Sequence, residues 1–261
     1  MPPHPQRQDT HDLRRLARDL SPEQLAELVD RSLGRRREQL LGAGDRDAMI
    51  SELEWLQGLD LSVQVHLNQL AAAIYDGKHP KHWLWKRHKQ WILDRVGANA
   101  HVLDVGCGCS AYLLWMAEAG CRVVAVDRRD DVLAVARRIM QHDNLRFLCA
   151  DVMLGPPASP FGGAYDVAVC AHVIEHLEEP VAMLRSLRDV APRLVVAVPP
   201  EYSRWQKLMH QDLGLRWKDD EDHRREYTPE LLEEQLTAAG WRVDELHDGI
   251  DIKAAASLVG A

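Results

Sequence analysis

The stretch that decides the fold is His101-Val102-Leu103-Asp104-Val105-Gly106-Cys107-Gly108-Cys109-Ser110. Its first half is mostly apolar and β-branched, which predicts a buried strand. The two glycines that follow permit a bend in which the backbone approaches a ligand closely. An apolar helical segment begins at Tyr112, so the free amides at its N-terminus would face the same ligand. A strand, a glycine-rich bend and a helix in this order predict the first unit of a parallel α/β sheet.

Strands and helices alternate along the rest of the chain from residue 100 onward, which is typical of such a sheet. We predict strands over residues 101–105, 122–127, 145–149, 165–170, 193–198, 241–246 and 252–258. We predict helices over residues 112–119, 132–140 and 181–190. The chain therefore closes with a pair of strands, where a dinucleotide-binding protein would repeat its first half.

The residues before the sheet have a helical pattern and no strand alternation. Residues 1–8 are polar and proline-rich, so we expect them to be disordered. Ser21-Pro22 predicts a helix start, and the glycines within residues 42–45 predict its end. Two further helical stretches follow, one through Leu56 and one over residues 61–75.

This change of pattern divides the 261 residues into two predicted domains. Residues 1–80 form a helical extension, which we interpret as a cap or as a dimerisation element that pairs two copies of the chain. Residues 81–261 form the sheet domain, which begins with a helix over residues 81–96.

Composition excludes several classes of protein. The formal net charge of -8 disfavours an electrostatic grip on nucleic acid, so long nucleic acid is not an expected partner. The five cysteines are odd in number and lie in or beside apolar runs, which indicates reduced thiols. No apolar run is long enough to cross a bilayer, and the N-terminus has no signal core. We therefore expect a cytoplasmic protein without a membrane span.

Carboxylates follow three successive predicted strands, as Asp104, Asp127 and Asp151. In open α/β sheets the carboxyl ends of the strands meet at the ligand. The glycine loop and Asp127 alone fit a nicotinamide dinucleotide as well as another nucleoside cofactor. Asp104 would repel a pyrophosphate but could bind an amino group, and Asp151 is placed to accept from an adenine amine. Each acid taken singly could also be a solvated strand end.

Taken together, these motifs resemble those of the class I methyltransferases. The resembling segments are residues 102–108, 126–127, 150–152, 165–177, 227–232 and 239–241. The last two resemble the helix that precedes the final strands in this family. Ser110 stands where the family usually has a third glycine. The resemblance covers residues 81–261 and implies a Rossmann-like seven-stranded α/β sheet with its last strand antiparallel, and S-adenosylmethionine as the cofactor.

The resemblance also implies which residues hold the cofactor. Asp104, Gly106 and Gly108 would hold the methionine end, Asp127 the ribose and Asp151 the adenine. The complete implied set of cofactor-binding residues is Asp104, Gly106, Cys107, Gly108, Asp127, Arg128, Asp151, Val152 and Ala171.

A second polar group follows the fourth predicted strand, as His172-Val173-Ile174-Glu175-His176, and His223 comes later. These letters also fit an inverted zinc-protease motif, but the preceding strand argues against a protease. The motif is similar to that of metal-assisted O-methyltransferases and of ubiquinone-biosynthesis O-methyltransferases. This resemblance implies a divalent ion held by His172, Glu175, His176 and His223. Because His172 replaces an acid, softer ions such as Zn²⁺, Mn²⁺ or Fe²⁺ are favoured over Mg²⁺.

Two other interpretations of this group stay open. Without an ion, the catalytic base would be His172, His176 or His223. Alternatively, Glu175 and His176 cap a helix and His223 fixes a loop.

Two segments bear on the methyl acceptor. Lysine, arginine and tryptophan are interleaved over residues 78–91, a mixture that binds single-stranded nucleic acid or a sugar, or simply covers the sheet. Residues 79–82 resemble a segment of methyltransferases associated with bacterial surface-glycan assembly. Tyr202, Arg204 and Trp205 follow the fifth predicted strand and are expected to line the acceptor pocket.

The sequence therefore predicts an S-adenosylmethionine-dependent O-methyltransferase that acts on a sugar or glycan hydroxyl. The alternative acceptors are a phenolic or quinone precursor, a small metabolite and an RNA 3′ end. The alternatives from other classes are a nicotinamide-dependent reductase and a non-catalytic cofactor-binding scaffold.

Overall fold

The computed structural model describes residues 20–74, 82–155, 157–201, 205–218, 220 and 222–259. The chain divides into two compact units, residues 1–65 and residues 66–261. None of the described helices is both long and apolar enough to cross a lipid bilayer. The predicted disorder of residues 1–8 lies outside the described residues, and the cytoplasmic location stays a prediction.

The N-terminal segment contains two helices, α1 (Pro22–Ala43) and α2 (Arg46–Ile74). The predicted start of α1 is confirmed, because Ser21 Oγ accepts from the Gln24 amide and Gln24 Oε1 accepts from the Ser21 amide. This reciprocal pair satisfies two amides that the helix itself leaves free. The predicted end is also confirmed, since Gly44 adopts a left-handed conformation with φ +67° and closes the helix.

Helix α2 differs from the prediction. It is one continuous helix of 29 residues, where the sequence predicted two separate stretches. Gly58 lies in its interior without interrupting it, because a glycine costs a helix only about 1 kcal/mol, whereas a proline costs about 3. The interpretation of residues 1–80 as a cap or dimerisation element stays a prediction.

Seven strands make up one sheet. They are β1 (His101–Val105), β2 (Arg122–Asp127), β3 (Leu145–Cys149), β4 (Val167–Ala171), β5 (Arg193–Val198), β6 (Trp241–His247) and β7 (Ile252–Leu258). Their order is β3-β2-β1-β4-β5-β7-β6. Strands β1 to β5 are parallel, and β7 runs antiparallel to both β5 and β6. The predicted fold class is therefore confirmed.

Six helices belong to the same part of the chain. They are α3 (His82–Val96), α4 (Tyr112–Glu118), α5 (Asp130–Ile139), α6 (Pro180–Ser186), α7 (Trp205–Asp212) and α8 (Pro229–Ala238). All but α7 had been predicted. Helix α7 begins at Trp205, which was predicted only to line the acceptor pocket.

The sheet is buried on both faces. All five residues of β1 are buried, with Leu103 and Val105 in one apolar core and Val102 in the other. Parallel strands covered on both faces are nearly continuous apolar runs. Burial of each such side chain stabilises the fold by roughly 1.5–3 kcal/mol. Because this burial requires a run of apolar residues, β1 could be predicted from the sequence.

The direction of β7 decides which residue of this strand lies at the edge where the parallel strands end, the edge at which open α/β sheets bind ligands. Strands β1 to β5 all end at one edge of the sheet, as parallel neighbours do. Because β7 runs the other way, its first residue, Ile252, pairs with Val198, the last residue of β5. Asp251, which directly precedes β7, therefore lies at the same edge as the carboxyl ends of the parallel strands.

Candidate active site

Two glycines in the left-handed region shape the bend after β1, Gly106 with φ +65° and Gly108 with φ +49°. A methyl group added to Gly106 would lie 2.5 Å from Val173 Cγ2. Both the backbone and the available space therefore require glycine at this position. A methyl group added to Gly108 would meet no described atom within 4 Å, so the backbone there borders open space. The Cys107 amide donates to the Val126 carbonyl at 2.9 Å and ties the bend to β2.

Asp127, the last residue of β2, braces the same bend. Its carboxylate accepts hydrogen bonds from the amides of Gly108 at 3.0 Å and Arg129 at 2.9 Å. Each carboxylate oxygen has a second lone pair. Half-buried Asp127 can therefore support the glycine bend and still accept bonds from the hydroxyls of a ligand.

Asp104 is a buried carboxyl group in the strand that leads into the bend. The residue is 4% exposed, within β1. Burial raises the pKa of Asp104 to about 8, and the negative charge of Asp127 adds to the rise. A nearby cation would favour the charged form of such a carboxyl group. This part of the edge is therefore suited to a positively charged ligand group.

The other residues predicted to bind the cofactor lie after β2, β3 and β4. Asp151 is exposed and caps a short 3₁₀ helix (Val152–Leu154), accepting from the Met153 amide at 2.9 Å. Arg128 is exposed and Ala171, at the end of β4, is half-buried. Because β3, β2, β1 and β4 are neighbours in the sheet, the predicted cofactor residues share one edge.

Beyond β4, the structure brings Glu175, His176 and His223 together. Each contributes one ligand-type atom, and these atoms all lie within 4.8 Å of one another. The Arg224 amide donates to the Glu175 carbonyl at 2.7 Å and so joins the two segments of the chain. Three of the four residues predicted to hold a metal ion thus form one cluster, which is called the Glu-His-His cluster below.

The carboxylate of Glu175 is the unusual member of this cluster. Its side chain is 1% exposed, and neither of its oxygens forms a hydrogen bond with a described residue. The one ion-pair contact described for this carboxylate is His172 Nδ1, 3.4 Å from Oε1. A buried polar group without a hydrogen bond costs about 1–3 kcal/mol, and a charged one costs more. One carboxylate and two imidazoles suit ions such as Zn²⁺, Mn²⁺ and Fe²⁺. The residues present therefore fit a divalent metal ion.

His223 is held by Glu226, which the sequence analysis missed. The His223 Nδ1 atom lies 3.0 Å from Glu226 Oε1, and Glu226 Oε2 lies 3.7 Å from the ammonium of Lys207 on α7. Burial lowers the pKa of His223, but the Glu226 carboxylate outweighs this effect and raises the pKa. A hydrogen on Nδ1 leaves the lone pair of Nε2 for a ligand. The sequence signal that could have identified Glu226 was the presence of an acid three residues after His223.

His172 lies beside the Glu-His-His cluster and not within it. Its Nδ1 atom is 3.4 Å from Glu175 Oε1, and its Nε2 atom is 3.6 Å from Asp251 Oδ2. Burial lowers the pKa of His172, but the carboxylates of Asp251 and Glu175 outweigh burial and raise the pKa to about 9. Asp251 was not predicted. The signal for it was an acid directly before a strand that runs against its neighbours.

The residues predicted to line the acceptor pocket are not among those whose side chains the structure describes. Tyr202 and Arg204 lie outside the described residues, as does the side chain of Trp205. A cavity of about 310 Å³ is lined by Gly214, Leu215, Arg216, Trp217, Lys218 and Asp220. The Lys218 ammonium donates to the His223 carbonyl at 2.9 Å and connects this cavity to the cluster.

Comparisons with known proteins agree that the chain is similar to methyltransferases. A family model described as a methyltransferase domain matches residues 75–246. The ubiquinone biosynthesis O-methyltransferase of Acinetobacter baumannii (strain AYE) is 30% identical over 138 residues, which is 51% of this chain and 58% of the relative. The chain thus spans 58% of the length of that curated relative.

Solved structures agree on the fold. A SAM dependent methyltransferase from Aquifex aeolicus matches with a TM-score of 0.52 and 20% identity, covering 66% of this chain and 89% of that chain. The magnesium protoporphyrin IX methyltransferase of Synechocystis PCC 6803 with bound SAH matches with a TM-score of 0.51 and 18% identity. That match covers 67% of this chain and 81% of the other.

Proposed function

Because this chain belongs to the class I methyltransferases that use S-adenosylmethionine, we propose that it methylates a hydroxyl of a phenolic or quinone-precursor acceptor with the help of a divalent metal ion. The observation that carries the proposal is the buried Glu175 carboxylate, which has no hydrogen bond to a described residue and faces His176 and His223. The curated relatives that bear the name ubiquinone biosynthesis O-methyltransferase support the class of acceptor.

The comparisons favour this acceptor over the sugar or glycan hydroxyl that the sequence analysis placed first. The glycan prediction rested on residues 79–82, whose side chains lie outside the described residues. The family is that of a methyltransferase, so the nicotinamide-dependent reductase is no longer an alternative.

The donor side of the proposed site is the glycine bend with its acids. S-adenosylmethionine supplies an electrophilic methyl group on a positively charged sulfonium. The Asp104 carboxyl would pair with the ammonium of the methionine end, while the backbone of Gly106 and Gly108 packs against that end. Asp127 would accept from the ribose hydroxyls, and Asp151 from the adenine amine.

The Glu-His-His cluster would hold the metal ion, which when bound would lower the pKa of an acceptor hydroxyl and orient the acceptor. Glu226 keeps a hydrogen on Nδ1 of His223 and so keeps Nε2 available as a ligand atom. His176 is exposed, and this leaves the cluster open to water, to which the acceptor proton passes. The acceptor oxygen then forms a bond to the methyl carbon as the carbon–sulfur bond breaks and its electron pair stays on sulfur.

The test is transfer of a labelled methyl group to a panel of catechols, simple phenols, saccharides and RNA, with and without a chelator. We expect catechols to be methylated fastest, activity to fall after chelation, and added Mn²⁺ or Zn²⁺ to restore it. Glu175→Gln is the matched variant, because it keeps the shape of the side chain and removes the charge. Equal activity before and after chelation would make an imidazole of the cluster the base and remove the metal ion from the proposal. Preferred methylation of saccharides or RNA would overturn the acceptor class.

A further inference from the structure

His172 is placed between two carboxylates. One ring nitrogen, Nδ1, lies 3.4 Å from Glu175 Oε1, and the other, Nε2, lies 3.6 Å from Asp251 Oδ2. An imidazole has only these two nitrogens with which to bind a metal ion or accept a proton. Since both face carboxylate oxygens at ion-pair distance, neither is directed at a further ligand. This arrangement differs from the roles of base and metal ligand that the sequence suggested.

The backbone holds His172 in this place. Its φ of +57° lies in the left-handed region, which is unfavourable for a non-glycine residue and persists only where the surroundings enforce it. The His172 amide donates to the Ala197 carbonyl on β5 at 2.8 Å. Ala197 pairs in register with Lys253 on β7, two residues after Asp251. The ends of β5 and β7 therefore fix both partners of the His172–Asp251 contact.

The contact also joins groups that are buried to different degrees. The side chains of Glu175 and Asp251 are 1% and 6% exposed, whereas that of His172 is 34% exposed. Two buried carboxylates flanking one imidazole form a chain from β7 to the Glu-His-His cluster. Partners of this kind orient the residues that bind a metal ion, and their loss typically weakens metal affinity or activity by about 10–100-fold.

We propose that His172 and Asp251 are positioning residues, and that the metal site has the three protein ligands Glu175, His176 and His223. His172 holds the Glu175 carboxylate through Nδ1, and Asp251 holds His172 through Nε2. The inference rests on the proposed function, because it concerns the same metal site. A site with three protein ligands leaves its remaining positions to the oxygens of the acceptor and to water.

The first experiment compares Asp251→Asn with Asp248→Asn, a matched change at an exposed acid in the same turn before β7. Mn²⁺ binding to the full chain is measured by electron paramagnetic resonance, and S-adenosylhomocysteine binding by calorimetry. We expect Asp251→Asn to weaken Mn²⁺ binding about tenfold or more, with Asp248→Asn like the wild type. Binding of S-adenosylhomocysteine should be unchanged in both variants. His172→Gln combined with Asp251→Asn should bind Mn²⁺ no more weakly than His172→Gln alone, since Asp251 acts through His172.

The second experiment remains decisive even where Asp251→Asn does not fold. Electron spin-echo spectroscopy of bound Mn²⁺ counts the coordinated imidazoles in the wild type and in His172→Gln. We expect two imidazoles in both proteins. Loss of one imidazole signal in His172→Gln would make His172 a ligand and overturn the inference, as would equal Mn²⁺ affinity in the wild type and Asp251→Asn. Absence of Mn²⁺ binding to the wild type itself would instead overturn the metal-assisted function, and the inference with it.

Discussion

The proposed donor side of the sheet edge, formed by Asp104, residues 106–108 and Asp127, holds its polar groups largely through the backbone. The proposed acceptor side, formed by the Glu-His-His cluster with Glu226 and Asp251, holds them through other side chains. On the donor side, Asp127 accepts from two main-chain amides. On the acceptor side, each histidine nitrogen with a described partner faces a carboxylate from another residue.

This difference predicts how the donor side and the acceptor side will each respond to substitution. A site held by the backbone tolerates changes in neighbouring side chains. It depends, however, on the Asp127 carboxylate, which joins the loop after β1 to the loop after β2. A site built from side chains shares its charges among several residues, so the removal of one leaves the others buried without compensation.

Glu175→Gln should cause the largest loss. We expect kcat to fall by roughly 100-fold or more, because the side chain that carries the negative charge of the metal site becomes neutral. Affinity for S-adenosylhomocysteine should stay within about twofold, since the donor side is built independently. Steady-state kinetics and calorimetry measure the two quantities. Glu179→Gln, at an exposed acid of the same loop, is the control, and a parallel loss of donor affinity would contradict the separation of the two halves.

Asp127→Ala should weaken binding of S-adenosylhomocysteine by about tenfold or more, because contacts to the ribose and the brace of the glycine bend are lost together. Calorimetry with the wild type and with Asp131→Asn, an exposed acid on α5, provides the comparison. Mn²⁺ affinity should not change. Wild-type donor affinity in Asp127→Ala would remove Asp127 from the ribose site.

Asp104 should make the stability of the donor-free protein depend on pH. Its pKa is about 8 in the folded protein and near its ordinary value of 3.8 when unfolded, so folding takes up a proton between those pH values. The unfolding free energy should therefore fall as pH rises through this window, by at most about 1.4 kcal/mol per pH unit. Urea unfolding at several pH values should show a shallower slope for Asp104→Asn. Parallel profiles for the two proteins would contradict the raised pKa.

Asp151→Asn should have the smallest effect. The side chain is exposed and already caps a 3₁₀ helix, so we expect donor affinity to change by less than about threefold. Competition between S-adenosylhomocysteine and its analogue lacking the adenine amine measures the contribution of this residue. A loss as large as that of Asp127→Ala would show that adenine recognition depends on Asp151 far more than its exposure suggests.

Much of the fold was predictable because the strands are buried apolar runs. The bounds of β1 match the prediction, and those of β4 shift by two residues at one end and one at the other. Helix α2 was predicted less well, since a single interior glycine resembles a break in a local pattern although it does not end a helix.

The candidate site was predictable where a short motif or the family resemblance marked its residues. Glu175 and His176 stand side by side and were found, whereas Glu226 and Asp251 act through contacts that depend on packing. Asp251 reaches the site only because β7 is antiparallel, which no local pattern around residue 251 reveals. His172 belongs to the same short motif as Glu175 and His176, but its two ring nitrogens face Glu175 and Asp251.

The reversed direction of β7 has a practical consequence for protein engineering. Leu258 pairs with Trp241 at the edge opposite the ligands, so any sequence attached after it leaves from the far side of the sheet. An affinity tag or surface anchor attached there would not cover the edge of the sheet that carries the proposed active site. Trimming the chain back past Asp251 would have the reverse outcome, because one deletion would remove the strand between β5 and β6 and take Asp251 out of the proposed active site.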